Sequence, residues 1–151
     1  MVGTQDNQHD VARVVVGVDG SQPSRQALRW ARTLAGCTGA VVEAVTVWTY
    51  PAAAGWGMVG GWDPEENARQ VLEEALDAAY GNDRPPKLTT RVVQGPAAKS
   101  LLDASEGAQM LVVGSRGHGG FTGLLLGSVS AVCAEHAHVP VLVVHGEAPT
   151  R

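Results

Sequence analysis

Aromatic residues are scarce, with one Phe, two Tyr and four Trp among 151 residues. The core must therefore be built from aliphatic side chains. Cysteine is scarcer as a framework. Cys37 and Cys133 are the only two, and one possible pair makes no disulfide scaffold. Both are expected as buried, reduced thiols of a cytosolic protein. Cys133, His136 and His138 have ligand-like spacing but lack a fourth ligand and end a helical pattern, so no metal centre is expected there. There is no basic stripe. The 11 Lys and Arg against 15 Asp and Glu give a formal charge of −4, which argues against general affinity for nucleic acid. No apolar run approaches the ~20 residues that span a bilayer, so no membrane helix is expected. Met1 to Asp10 is polar, without an apolar signal region. It reads as a disordered leader to one domain over 11–146, followed by a tail over 147–151. The expected location is the cytoplasm.

The chain does contain β-branched runs alternating with helical patterns. Arg13-Val14-Val15-Val16-Gly17-Val18-Asp19 is continuous and apolar, as in strands buried on both faces of a parallel sheet. Ser21 or Ser24 can cap the next helix, with Pro23 in its first turn. Ala27, Leu28, Ala31, Leu34 and Ala35 recur at helical spacing, and Gly36 and Gly39 are expected to close that helix. Ala40 to Trp48 is a second strand. Thr49 to Asp63 is a Gly- and Trp-rich loop that reads as a flexible flap. Its Gly55-Trp56-Gly57-Met58-Val59-Gly60 matches Gly-x-Gly-x-x-Gly, but no strand abuts it, so it is discounted as a dinucleotide fingerprint. Trp56 and Trp62 either cover a ligand or pack on the surface. Asp63-Pro64-Glu65-Glu66 is a helix start with Asp63 as N-cap and Glu66 as capping-box partner. Lys87 to Gln94 alternates as a third strand near a sheet edge. A short helix follows Gly95-Pro96. Gln109 to Val113 is a fourth strand, Ser128 to His136 or a little beyond a helix, and Val139-Pro140-Val141-Leu142-Val143-Val144 a fifth strand. Five strands alternating with four helices imply an α/β fold, a parallel sheet with helices on both faces.

The most informative stretch is Gly114-Ser115-Arg116-Gly117-His118-Gly119-Gly120, continuing to Gly127-Ser128-Val129-Ser130. Five glycines lie between positions 114 and 123. A strand feeds the loop and a helix leaves it. Backbone N–H groups in such a loop can face an anion, because no Cβ blocks the approach. The first turn of the next helix adds free N–H groups and the positive end of its dipole. Phosphate is the natural ligand, and the Ser128 and Ser130 hydroxyls are expected beside its oxygens. No Lys opens the helix, which argues against a P-loop NTPase. Asp19 ends the first strand. It is either a turn or cap residue or a contact to ribose, an adenine amino group or a phosphate-bound Mg²⁺. Strands 1 and 4 would flank the point where strand order reverses, which brings Asp19 and the glycine loop to one crevice.

These residues resemble the universal stress protein family over nearly the whole chain, from about Val14 to Val144. That family's ATP motif is Gly, two residues, Gly, nine residues, then Gly and Ser or Thr. Gly114, Gly117, Gly127 and Ser128 fit it without departure in spacing. The resemblance implies a Rossmann-like sheet of order 3-2-1-4-5 and membership of the ATP-binding branch. It implies that Gly17, Val18 and Asp19 meet the adenosine end, with Asp19 also near an ATP-bound Mg²⁺. It places the Val47 backbone at adenine. Val113, Gly114, Ser115, Arg116 and Gly117, with His118, Gly119 and Gly120, would line ribose and phosphates, and Gly127, Ser128, Val129 and Ser130 would hold the phosphate chain. Family members commonly pair through strand 5. An uncovered apolar edge carrying Val139, Val141 and Val143 supports a homodimer there, since such edges are a liability unless covered.

The expected function is a nucleotide-dependent regulator of stress or dormancy, read by an unknown regulatory protein partner. A slow ATPase or nucleotidyl-handling enzyme is the alternative, with Arg116 as the charge-stabilising cation and His118 as the loop's one candidate base. A nucleotide-free dimeric module is a third. No catalytic residue is assigned.

Overall fold

In the computed structural model, the described residues are 11–50, 61–117 and 126–146. The leader, the tail, most of the Gly/Trp loop including Trp56, and His118, Gly119 and Gly120 lie outside them. Nine elements follow in order: β1 (Arg13–Gly17), α1 (Gln22–Thr38), β2 (Val41–Trp48), α2 (Pro64–Tyr80), β3 (Leu88–Gln94), α3 (Ala97–Ser105), β4 (Met110–Gly114), α4 (Ser128–His136) and β5 (Val141–Val144). The strands form one sheet of order β3-β2-β1-β4-β5, parallel throughout. This is the expected α/β architecture. Among the described residues, no helix is long and apolar enough to cross a membrane.

The valine run of β1 is explained by its place at the centre of the sheet. Val14 and Val16 face a cluster with Leu28 of α1 and Leu72 and Leu76 of α2. Val15 faces the opposite cluster, with Leu101 of α3, Leu111 of β4 and Cys133 of α4. A strand covered on both sides needs apolar side chains at consecutive positions. Each such buried Val or Leu contributes about 1.5–3 kcal/mol.

The element ends differ from expectation in ways that shape the site. β1 stops at Gly17, two residues short of Asp19, although the Val18 N–H still donates to the Val45 carbonyl at 2.8 Å. The chain then turns at Gly20, whose φ of 82° favours glycine. Ser21 is the cap of α1, its hydroxyl accepting from the Ser24 N–H at 3.4 Å. Gly36 does not end α1. The helix runs to Thr38, and Gly39 closes it with φ 73°. Asp63 caps α2 as expected, accepting from the N–H groups of Glu65 and Glu66 at 3.0 and 3.3 Å. Glu66 does not reach back to complete a capping box; its carboxylate faces Arg69 at 3.9 Å. β5 begins at Val141 rather than Val139. Pro140 has no N–H to give the ladder, and its carbonyl accepts from Leu111 at 2.9 Å instead. Cys133 is buried, but Cys37 is exposed. It falls two positions beyond Ala35, on the side of α1 opposite the buried Ala27, Ala31 and Ala35.

Two buried acids make stability sensitive to alkali. The Tyr80 hydroxyl donates to the Leu28 carbonyl, and burial pushes its phenol well above the ordinary range, against a smaller lowering by Arg32. Burial likewise pushes the Cys133 thiol up. The folded chain keeps both protonated where the unfolded chain releases the proton. Their contribution is complete below the unfolded pKa values, about 8.5 for thiol and 10 for phenol, and is lost as pH rises beyond them. Denaturant unfolding should therefore show stability falling above about pH 9, by up to roughly 1.4 kcal/mol per pH unit for each group. Tyr80→Phe should cost about 1 kcal/mol at neutral pH for the lost hydrogen bond, and should flatten the fall above about pH 10. An unchanged slope would show that Tyr80 does not govern it.

Candidate functional site

Parallel strands carry their connecting loops to one edge, and the reversal of strand order between β1 and β4 opens a crevice there. A cavity of about 610 Å³ occupies it. The end of β1 supplies Gly17, Val18 and Asp19, and β2 supplies Val47. Val113, Gly114, Arg116 and Gly117 come from β4 and its loop, and Gly127, Ser128, Val129 and Ser130 from the start of α4. Asp19 and the glycine loop, nearly a hundred positions apart in sequence, are thus brought together.

Loop and helix are joined through one peptide group. The Ser115 N–H donates to the Val144 carbonyl at 2.7 Å. The Ser115 carbonyl accepts from the Gly127 N–H at 2.7 Å and the Ser130 hydroxyl at 3.0 Å. Ser115 is buried and does not line the cavity. Its role here is to tie the loop to β5 and α4. Ser130 is also buried, and its hydroxyl hydrogen is directed at the backbone carbonyls of Ser115 and Gly127, the latter at 3.1 Å. It therefore braces the junction and retains only acceptor capacity toward the cavity. Ser128 is exposed at the first helical position. Gly127 is the N-cap of α4 and offers no side-chain acceptor, and the first turn it starts, Ser128 to Ser130, lines the cavity.

The glycines of the motif differ in what they accommodate. A Cβ on Gly114 would lie 2.8 Å from Pro23 Cβ and 2.9 Å from the backbone of Pro23 and Ser24. Gly114 is needed so that β4 can meet the first turn of α1. A Cβ on Gly117 would lie 2.5 Å from Asp19 Oδ2. The hollow at Gly117 is therefore where the Asp19 carboxylate points. That carboxylate is held through Oδ1, which accepts from the Ser21 N–H at 2.9 Å and from the Ser21 hydroxyl. Asp19 is thus a turn residue of α1 and a wall of the cavity at once.

Sequence reasoning missed Ser24, Val45, Ala97, Leu101 and Leu126, which also line the cavity. Leu101 belongs to the buried face of α3, whereas Ala97, in its first turn, is exposed, and both overlook the crevice. A Cβ on Gly17 would stand 2.8 Å from Leu101 Cδ1, so Gly17 makes room for the α3 side chain. Val45 and Val47 add apolar wall at the β2 end. Arg116 and Asp19 are the only charged residues among the described lining. Among the described residues, no group of three or more His, Cys, Asp or Glu is placed to hold a metal ion.

Comparison with known proteins agrees with this fold. A universal stress protein of Mycolicibacterium smegmatis is 37% identical over 142 residues, covering 89% of this chain and 48% of that protein. One of Mycobacterium tuberculosis is 38% identical over 133 residues, covering 87% and 44%. The chain spans about half the length of these relatives. Among solved structures, a universal stress protein in complex with cAMP is 28% identical with a TM-score of 0.69, covering 90% of this chain and 98% of that one. The UspA universal stress protein of Lactobacillus plantarum shares the fold at a TM-score of 0.73 and 19% identity, covering 88% and 97%. The model of the universal stress protein family matches residues 11–145, and the chain belongs to that family.

Proposed function

We propose that the cavity binds an adenine nucleotide, with ATP the ligand its motif favours, and that the protein is a nucleotide-dependent regulator of stress or dormancy. The observation that carries this reading is the meeting of Asp19, the Gly114–Gly117 turn and the uncapped start of α4 around one cavity. Its volume of about 610 Å³ lies within the usual range for small-ligand sites. The apolar end at Val45, Val47 and Leu101 suits a purine base. The N–H groups and dipole of α4 suit phosphate. The relative bound to cAMP, at 28% identity, supports an adenine nucleotide as the ligand class. Asp19 is the one carboxylate among the described lining residues, so Mg²⁺ would enter as the counter-ion of the phosphates, with Asp19 within its reach.

In this reading, Gly17, Val18, Asp19 and Val47 meet the nucleoside, and the loop from Val113 and the first turn of α4 meet the phosphates. Residues 11–146 act as one nucleotide-binding domain. The protein works in the cytoplasm, and two copies pair through the β5 edge. Nucleotide prefers one of two conformations, and an unidentified protein partner reads the shifted population.

Calorimetric titration with ATP, with and without Mg²⁺, tests the proposal on protein whose co-purified small molecules have been identified by mass spectrometry. Saturable binding near one site per chain is expected. Absence of both binding and carried nucleotide would overturn it in favour of a nucleotide-free interaction module.

A further inference from the structure

We infer that Trp30 of α1 is the anchor by which one copy of this chain recognises a second, the two meeting edge to edge with Leu142 on their two-fold axis. The inference rests on the reading that two copies pair through β5. It adds the register of that pair and the side chain that holds it.

The backbone fixes the register. The Pro140 and Val144 carbonyls face β4, accepting from the Leu111 and Ser115 N–H groups at 2.9 and 2.7 Å. Alternation along the strand then turns the N–H and C=O groups of Val141 and Val143 to the open side. A two-fold axis normal to the sheet runs the second β5 antiparallel and keeps the α1 layers of both copies on one face. With the axis at Leu142, Val141 of each copy lies opposite Val143 of the other, and both outward residues of the strand are bonded. An axis at Val141 or Val143 would pair only one of them within the strand. The two Leu142 side chains then meet at a pair without hydrogen bonds, where opposing strands come closest. No charged residue lies between Val139 and Val144. The other edge differs: β3 carries Arg91, and Lys87 precedes it, charges of the kind that guard an edge.

α1 supplies the rest. Arg29 and Arg32 reach back toward the end of α2, donating to the Ala78, Ala79 and Asp83 carbonyls. Pro23 belongs to the opposite flank, close to Gly114 at the end of β4 and to Gly146 just after β5. Trp30 and Leu34 follow Pro23 by two and three helical turns, so all three share the β5 flank, which they leave without charge. Leu34 and Leu142 pack on the same core cluster, whereas Trp30 is 52% exposed. Strands lie about 4.8 Å apart, so β4 of one copy would stand about 14 Å from β4 of the other. α1 packs chiefly on β4 and β1. That sets the two α1 helices at least as far apart, beyond the roughly 8–10 Å of direct helix packing. A slot remains above the two Leu142 side chains, and Trp30 from each copy fills it. A desolvated aromatic at the centre of an interface carries a large share of its binding energy.

Sedimentation of the full chain over a range of concentrations, beside Trp30→Ala and Trp30→Phe, tests the anchor. The unmodified chain should sediment as a dimer. Trp30→Ala should raise the dimer dissociation constant at least about thirtyfold without changing the circular dichroism, and Trp30→Phe by no more than about fivefold. Mild oxidation of single cysteines reads the register. It is done in Cys37→Ser, which removes the exposed thiol and leaves the buried Cys133. Leu142→Cys should link to its own copy in the dimer, and Val141→Cys and Val143→Cys should not. An unchanged dissociation constant in Trp30→Ala would overturn the inference. So would any result in which Leu142→Cys folds but is not the variant that links to itself. Should Leu142→Cys fail to fold, the Trp30 comparison, made at an exposed position, decides. A dimer indifferent to Trp30 removes this inference alone, whereas an unmodified chain that stays monomeric at every concentration removes the β5 pairing with it.

Discussion

Gly117→Asp should weaken nucleotide binding at least about a hundredfold while leaving the fold intact. The residue is exposed, and among the described residues the space its Cβ would enter holds only the end of the Asp19 side chain. A second carboxylate would stand beside the first, facing the phosphate end. Two like charges about 5 Å apart at an effective dielectric near 20 repel by roughly 3 kcal/mol. Gly117→Asn separates charge from bulk, because it displaces Asp19 similarly but adds no charge. If repulsion dominates, Asn costs far less affinity than Asp. Gly127→Glu is a poorer test of the same idea. A Cβ there would lie 3.4 Å from Arg116 Cα and the Ser115 carbonyl oxygen, both backbone atoms, so the substitution also strains the junction. Calorimetry with ATP and Mg²⁺, alongside a thermal melt, makes the comparison. Retained affinity in Gly117→Asp would remove the phosphates from this turn.

What the sequence discloses divides along a physical line. Patterns set by local sterics and by burial are visible in it. The valines of β1, the Asp63-Pro64 start of α2 and the reversal of strand order between β1 and β4 are all legible, because periodicity, capping and crossover handedness act on neighbouring residues or on any chain of this pattern. Features decided by distant partners are not. Gly36 and Gly39 look alike as helix stops, but α1 runs through the first and only Gly39 takes the left-handed φ of 73° that closes it. Ser130 looks like a phosphate ligand until the Ser115 carbonyl, fifteen residues away, takes its hydrogen bond. Leu101 is a core residue by its spacing, and nothing local reveals that Gly17 vacates space for it. The motif spacing identified the right loop and helix. It carried no information on which glycine serves a ligand and which serves another helix.

That distinction leads to the second large effect. Gly114→Val should fail as a fold, not as a binding site. Its added carbons would enter space taken by Pro23 and Ser24, with first contacts of 2.8–2.9 Å, two of them to main-chain atoms. A flexible side chain can swing aside, but the first turn of α1 is fixed by its Ser21 cap and by the packing of Leu28 and Ala31 beneath it. Overpacking usually costs about 1–3 kcal/mol, and contact with backbone on a central strand puts this case at or above the upper end. A loss of about 3 kcal/mol in a domain of this size lowers Tm by roughly 6–12 °C. Gly117→Asn, three residues on in the same motif, should stay within about 2 °C of the unmodified protein, as exposed substitutions usually do. Melting the two variants side by side therefore separates the roles of two residues that the motif treats as equivalent. Equal melting temperatures would mean that the end of β4 can withdraw from α1, and that Gly114 is there for the ligand after all.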